Sequence, residues 1–231
     1  MNPRILVVDI ETTGTDPQKH SIVSIGAVHP ASSEEFYIEC RMLPDREVMD
    51  AALMVNGFTR EQCNDESKTT AQNAYFKFLT WAKYMHPKPL LAGQNIGSFD
   101  SKFLENLHNL TTNEKWPFGY RSIDLHSLSF AVSGESLTLD EAGISIGLGP
   151  EQKPHNALNG AKYSAMVLQA MLKASKLNTS TPSDDDESRL KDQYAGQALN
   201  GFLAKGASID NAVHWSWLAA EKMLNKRQER K

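Results

Sequence analysis

Residues 5–14 read Ile-Leu-Val-Val-Asp-Ile-Glu-Thr-Thr-Gly, and this stretch constrains the fold more than any other in the chain. Its apolar run is too short for a buried helix and rich in β-branched residues, so it predicts a buried strand that ends in two carboxylates. In a strand, residues two apart share a face, so Asp9 and Glu11 project together beside Ile10. Two acids held that close repel one another unless a cation lies between them. Magnesium or manganese suits such a site, because both are hard ions that take carboxylate and water oxygens. Thr12-Thr13-Gly14 then turns the chain, and Gly14 is able to bring bare backbone close to a ligand.

The rest of the chain supplies partners for that strand. Residues 22–28 alternate as a second strand and Phe36-Tyr37-Ile38 begins a third, which predicts an antiparallel meander. Residues 41–62 read as short helical pieces punctuated by Pro44 and Gly57. Ala74, Phe78, Trp81, Ala82 and Met85 recur at helical spacing, so 71–85 is expected to be an amphipathic helix capped by Thr70 and ended by Pro87 and Pro89. A short strand over 89–93 leads to a helix over 99–107, with Asp100 in its first turn, where the helix dipole favours an acid. Another strand is expected over 121–125, with Asp124 at its end. Thr138-Leu139-Asp140-Glu141 fits a capping box for a helix that Gly143 closes. Residues 147–154 form a loop, and His155 stands just before a helix over 156–175 with a buried stripe of Ala157, Ala161, Ala165, Leu168 and Leu172.

At 231 residues the chain has room for one sizeable domain with an extension. Residues 1–177 are expected to form that domain and 178–193 an acidic linker containing Ser, Thr and Pro. Residues 194–231 then form a helical tail with a basic C-terminus, in which Ile209, Val213, Trp217, Ala220 and Leu224 share one helical face. No apolar stretch is long enough to cross a bilayer, and Met1-Asn2-Pro3-Arg4 leads directly into the first strand, so a cytoplasmic protein without membrane association is expected. Cys40 and Cys63, the only cysteines, are too few for a disulfide framework or a cysteine-based zinc site. A net charge of −4 argues against coating long duplexes by phosphate neutralisation, but allows holding a strand end.

Three segments together carry a resemblance: Val-Val-Asp-Ile-Glu-Thr-Thr-Gly at 7–14, Asn-Ile-Gly-Ser-Phe-Asp-Ser-Lys-Phe-Leu at 95–104, and His-Asn-Ala-Leu-Asn-Gly-Ala at 155–161. In this order the chain resembles the DnaQ-like, or DEDDh, 3′–5′ exonucleases over residues 1 to about 176. The resemblance implies a ribonuclease H-like α/β fold: a mixed sheet flanked by helices, here followed by a C-terminal helical extension. It also implies hydrolysis of phosphodiesters at nucleic-acid 3′ ends, on single-stranded or frayed DNA or RNA, with two Mg2+ or Mn2+ ions. By the same resemblance Asp9 bridges both metals, Glu11 binds the first, Asp100 holds the second, and His155 is the general base. Thr12, Thr13, Gly14 and Phe99 then meet the terminal nucleotide.

One position departs from the family pattern. An aspartate is expected five residues after the histidine, where this chain has Gly160, and no other Asp or Glu lies between Glu151 and Asp184. The sequence therefore predicts a first metal site short of one carboxylate and impaired catalysis. The alternative is a non-catalytic relative that binds nucleic-acid ends, or a protein partner through its C-terminal helix.

Overall fold

The computed structural model describes residues 1–151, 155–179 and 208–228, together with 191, 192, 194, 195, 198 and 199. The predicted acidic strand is β1 (Ile5–Thr12), and the mixed sheet is built outward from it. On one side it pairs antiparallel with β2 (Ile22–His29), which pairs antiparallel with β3 (Glu34–Arg41). The two-residue β4 (Thr69–Thr70) runs parallel to β3 at the outer edge. On its other side β1 pairs parallel with β5 (Leu90–Gly93), and β5 with β6 (Ile123–Asp124). The strand order is thus β4-β3-β2-β1-β5-β6.

Both faces of β1 are covered, which explains its unbroken apolar run. Leu6, Val8 and Ile10 share a core with Ala74, Tyr75 and Phe78 of α3 (Ala71–Met85) and with Phe103, Leu104 and Leu107 of α4 (Asp100–Thr111). Ile5 and Val7 face the opposite core, beside Leu125 of α5 (Leu125–Ser133), Ala142 of α6 (Leu139–Ser145) and Ala161 and Leu168 of α7 (Ala157–Thr179). Burying each such side chain contributes on the order of 1.5–3 kcal/mol. By the two-residue period, Asp9 and Glu11 extend the Ile5–Val7 row toward the α7 layer.

Helix α3 keeps its expected bounds because both signals are local: the Thr70 hydroxyl accepts from the Asn73 amide at 3.2 Å, and the apolar stripe is unbroken. Residues 41–62 hold α1 (Asp50–Asn56) and α2 (Arg60–Cys63), separated by Gly57 at φ 75°. Two expectations need correcting. Residues 125–133 form α5, which the sequence reading passed over; Asp124 ends β6 and at once caps that helix, accepting from the His126 amide at 3.0 Å. Gly143 does not close α6 but lies inside it, buried, because a Cβ there would run into the Tyr163 hydroxyl of α7. The helix instead ends at Ser145, with Ile146 as its C-cap ahead of Gly147 at φ 81°.

The chain forms two compact units, Met1–Ser175 and Lys176–Lys231. Most of the expected linker, residues 180–190, lies outside the described residues. In the second unit α8 (Ile209–Gln228) buries Ala212, Ser216 and Ala220, spaced four apart. The expected apolar face is corrected accordingly: Ile209, Val213 and Trp217 are exposed, since small residues make the closely packed side and the larger ones are left outward. Among the described residues no helix is long and apolar enough to cross a membrane.

Candidate active site

The site begins where the ladder between β1 and β5 stops. The last pair is Val7 with Ala92, so the following residues of β1 have no β5 partner on that edge. Gly93 closes the approach, since a Cβ there would lie 2.7 Å from the Val8 carbonyl oxygen. Beyond it the Ile10 amide donates toward the carboxylates of Asp9 and Asp100. Asp100 stands in the first turn of α4 and is 4% exposed, so a residue 91 positions later in the chain meets the end of β1.

The electrostatics record this convergence. The carboxyl of Asp9 is held well above its usual range, by burial first and then by the charges of Asp100, Glu11 and Glu151. Glu11 is pushed up to about 8 by burial, then by Glu151 and Asp100. Burial raises Asp100 to about 7 against the opposing pull of its own amide and that of Ile10, with the Asp124 charge adding to the rise. Such a group of acids keeps its charge only if protons or a cation neutralise it.

Glycines bring α7 down over this acidic row. A Cβ on Gly26, the β2 partner of Asp9, would collide with the backbone of Ala157, and one on Gly160 would collide with Asp9 itself. Asn156 fixes the start of the helix: its side-chain oxygen accepts from the Leu158 amide at 3.0 Å, and its amide donates to the Tyr37 hydroxyl at 3.1 Å. That hydroxyl donates in turn to Glu39 at 2.8 Å. His155 precedes this cap, with Nδ1 3.2 Å from Oε2 of Glu151.

Glu151 and Asn156 were missed from the sequence. Asn156 carries an N-cap signal that the expected helix start, one residue early, absorbed. Glu151 lies in an aperiodic loop, and the only hint was that it is the last acid before a long stretch without any. Its side chain is 7% exposed. A cavity of about 240 Å3 adjoins it, lined also by Leu148, Pro150, Asn159, Lys162 and Tyr163.

The expected substrate contacts have structural duties of their own. Thr12 donates its hydroxyl to the Gly14 carbonyl at 2.7 Å, and Thr13 donates to the Glu47 carbonyl at 2.7 Å while accepting from the Ser21 amide at 2.9 Å. Gly14 is bare because the His20 imidazole fills the space of a Cβ. Phe99 is half-buried against Phe103, with ring centroids 5.1 Å apart.

Among the described residues, no three His, Cys, Asp or Glu side chains are already gathered as a metal cage. Acids can raise one another's pKa from several ångströms apart without standing at ligating distance, so the two observations agree. The donor chemistry fits a hard divalent ion: Asp9, Glu11, Asp100 and Glu151 offer only carboxylate oxygens in a largely buried setting.

Comparison with known proteins gives the family. The Exonuclease family model, RNase_T, matches residues 6–168. The 3′-5′ DNA exonuclease Cap18 of Escherichia coli is 30% identical over 176 residues, covering 73% of this chain and 91% of that protein. The PolC-type DNA polymerase III of Thermotoga petrophila is 28% identical over 205 residues, and there the match spans 87% of this chain but only 14% of the polymerase. Among solved structures, the nuclease domain of 3′hExo, a DEDDh family member bound to rAMP, superposes with a TM-score of 0.60 at 20% identity, over 73% of this chain and 91% of that one. E. coli exonuclease I in complex with a dA16 oligonucleotide gives 0.57 at 18% identity, over 73% and 40%. With the family model matched over most of its length, the chain belongs to the DnaQ-like (DEDDh) 3′–5′ exonuclease family of the ribonuclease H-like superfamily.

Proposed function

We propose that this chain is a metal-dependent 3′–5′ exonuclease acting on single-stranded or frayed DNA or RNA ends. The observation that carries this reading is the meeting of Asp9, Glu11 and Asp100 at the end of β1, where each raises the pKa of Asp9 or is raised itself. The names of similar proteins support the substrate class: one is a 3′-5′ DNA exonuclease and others were solved with rAMP or a dA16 oligonucleotide. Asp9, Glu11 and Asp100 would together hold two Mg2+ or Mn2+ ions. When bound, such ions supply the positive charge that offsets the attacking and leaving oxygens of an in-line displacement. His155 takes the proton from the attacking water. The contact between its Nδ1 and Glu151 orients the ring and leaves Nε2 for that proton. The backbone of Thr12, Thr13 and Gly14 and the ring of Phe99 would border the terminal nucleotide.

The test uses matched DNA and RNA oligonucleotides labelled at either end. With Mg2+ or Mn2+, 3′-labelled strands should lose their label first as a mononucleotide, and 5′-labelled strands should shorten as a ladder. EDTA and Asp9→Asn should each stop the reaction. Gly160 favours a second reading, a protein that holds strand ends without cutting them. Fluorescence anisotropy showing retention of intact 3′-labelled strand in the presence of Mg2+ would select it. In the second unit, exposed Trp215 and Trp217 on α8 offer a docking surface for a protein partner.

A further inference from the structure

Gly160 stands where the family pattern calls for an acid, and the Asp9 carboxylate fills the space that a Cβ there would take. A Cβ built on it would press into Oδ2 of Asp9, 2.9 Å from Cγ of Asp9 and 3.3 Å from Oε1 of Glu151. Two carboxylates, those of Asp9 and Glu151, therefore meet beside Gly160. One of them comes from the loop ahead of α7 rather than from α7 itself.

Glu151 is built into this place. Its amide donates to Oδ1 of Asp140 at 2.8 Å, which fastens the loop to the first turn of α6. The close contact of Gly143 with Tyr163 then ties α6 to α7. At its far end the glutamate divides its two oxygens: Oε2 lies 3.2 Å from Nδ1 of His155, and Oε1 lies on the Gly160 side, toward Asp9. That side chain is 7% exposed, so its carboxylate is held inside the same buried group as Asp9.

We propose that Glu151 supplies the fourth carboxylate of the metal site, in place of an acid at 160. A metal site is defined by where oxygens arrive, not by which backbone sends them, and a glutamate from the loop brings its carboxylate beside Asp9, where an aspartate on the helix would bring its own. Gly160 is then not a lost ligand but half of an exchange with Glu151. Gly160→Asp alone crowds Asp9 and Glu151, so it does not raise turnover.

This inference rests on the exonuclease reading, and Mn2+ binding distinguishes the two. The full chain is titrated with Mn2+, and free ion is followed by electron paramagnetic resonance for wild type, Asp9→Asn and Glu151→Gln. Circular dichroism checks the fold of each. Glu151→Gln keeps the side-chain shape and should weaken one bound Mn2+ at least tenfold, about 1.4 kcal/mol. If Glu151→Gln binds Mn2+ like wild type while Asp9→Asn does not, the metal site stands and the role of Glu151 is overturned. A wild-type chain that binds no Mn2+ overturns both. Should Glu151→Gln fail to fold, Glu151→Asp, which retains the charge but shortens its reach, makes the same comparison: weakened binding supports the role, and unchanged binding overturns it.

Discussion

Asp9 is the residue on which the site turns, since it feels the charges of Asp100, Glu11 and Glu151 together. Asp9→Asn should lower exonuclease turnover by at least about a hundredfold, as misplacement of reacting groups by an ångström does elsewhere, and initial rates on a 5′-labelled oligonucleotide will measure it. Glu11 gives a pH signature. Its carboxyl rises from an ordinary 4.5 to about 8 in the fold, so between those values the folded chain holds more proton than the unfolded one. Stability without metal must therefore fall as pH rises through that window. Melting in EDTA should show a lower midpoint at pH 8 than at pH 5.5, and excess Mg2+ should raise the midpoint more at pH 8. A midpoint indifferent to Mg2+ at both pH values would count against a carboxylate metal site. The placement of Asp9 and Glu11 near a strand end, of Asp100 at a helix start and of His155 just before a helix was legible in the sequence, because each stands beside a local signal. The place of Glu151 beside Asp9 was not, since it depends on the packing of segments far apart in the chain.

Among the elements, α7 determines whether the site assembles, because it covers the acidic face of β1 and follows directly on His155. Its close approach depends on Gly26, where a Cβ would enter the Ala157 backbone. Gly26→Ala should destabilise the fold by about 1–3 kcal/mol, the usual range for overpacking, as read from urea denaturation. Turnover should fall as well, since any shift of α7 carries His155 with it. The cap of this helix, Asn156, reaches Tyr37 of β3 and so anchors its start to the meander. Element identities followed from local chemistry where that chemistry was complete, as at Thr70 and α3. They failed where tertiary packing overrode it. Gly143 reads as a helix stop, but it is a contact point for Tyr163.

For the whole molecule, Met1–Ser175 is a compact unit that contains every proposed catalytic group. A fragment of residues 1–177 should therefore melt cooperatively and keep the Mn2+ affinity of the full chain within about twofold, a difference of under 0.5 kcal/mol, measured by calorimetry. A fragment that fails to fold would assign the second unit a structural role. The exposed rings of Trp215 and Trp217 on α8 are the natural site for a paired alanine substitution, which should leave turnover on a short oligonucleotide unchanged.

The sequence by itself determined the strand that begins the fold, the acids at its end and the family to which the chain is similar. These follow from a two-residue side-chain period, from helix caps and from motifs read over a few neighbouring positions. Only the tertiary structure decided what became of the absent fourth acid. Glu151 and Asp9 belong to different segments, and no local period relates a loop carboxylate to one at a strand end. That relation exists only because Gly26 and Gly143 let α7 pack closely against the sheet and α6, bringing Gly160 against Asp9 and close to the end of the Glu151 side chain.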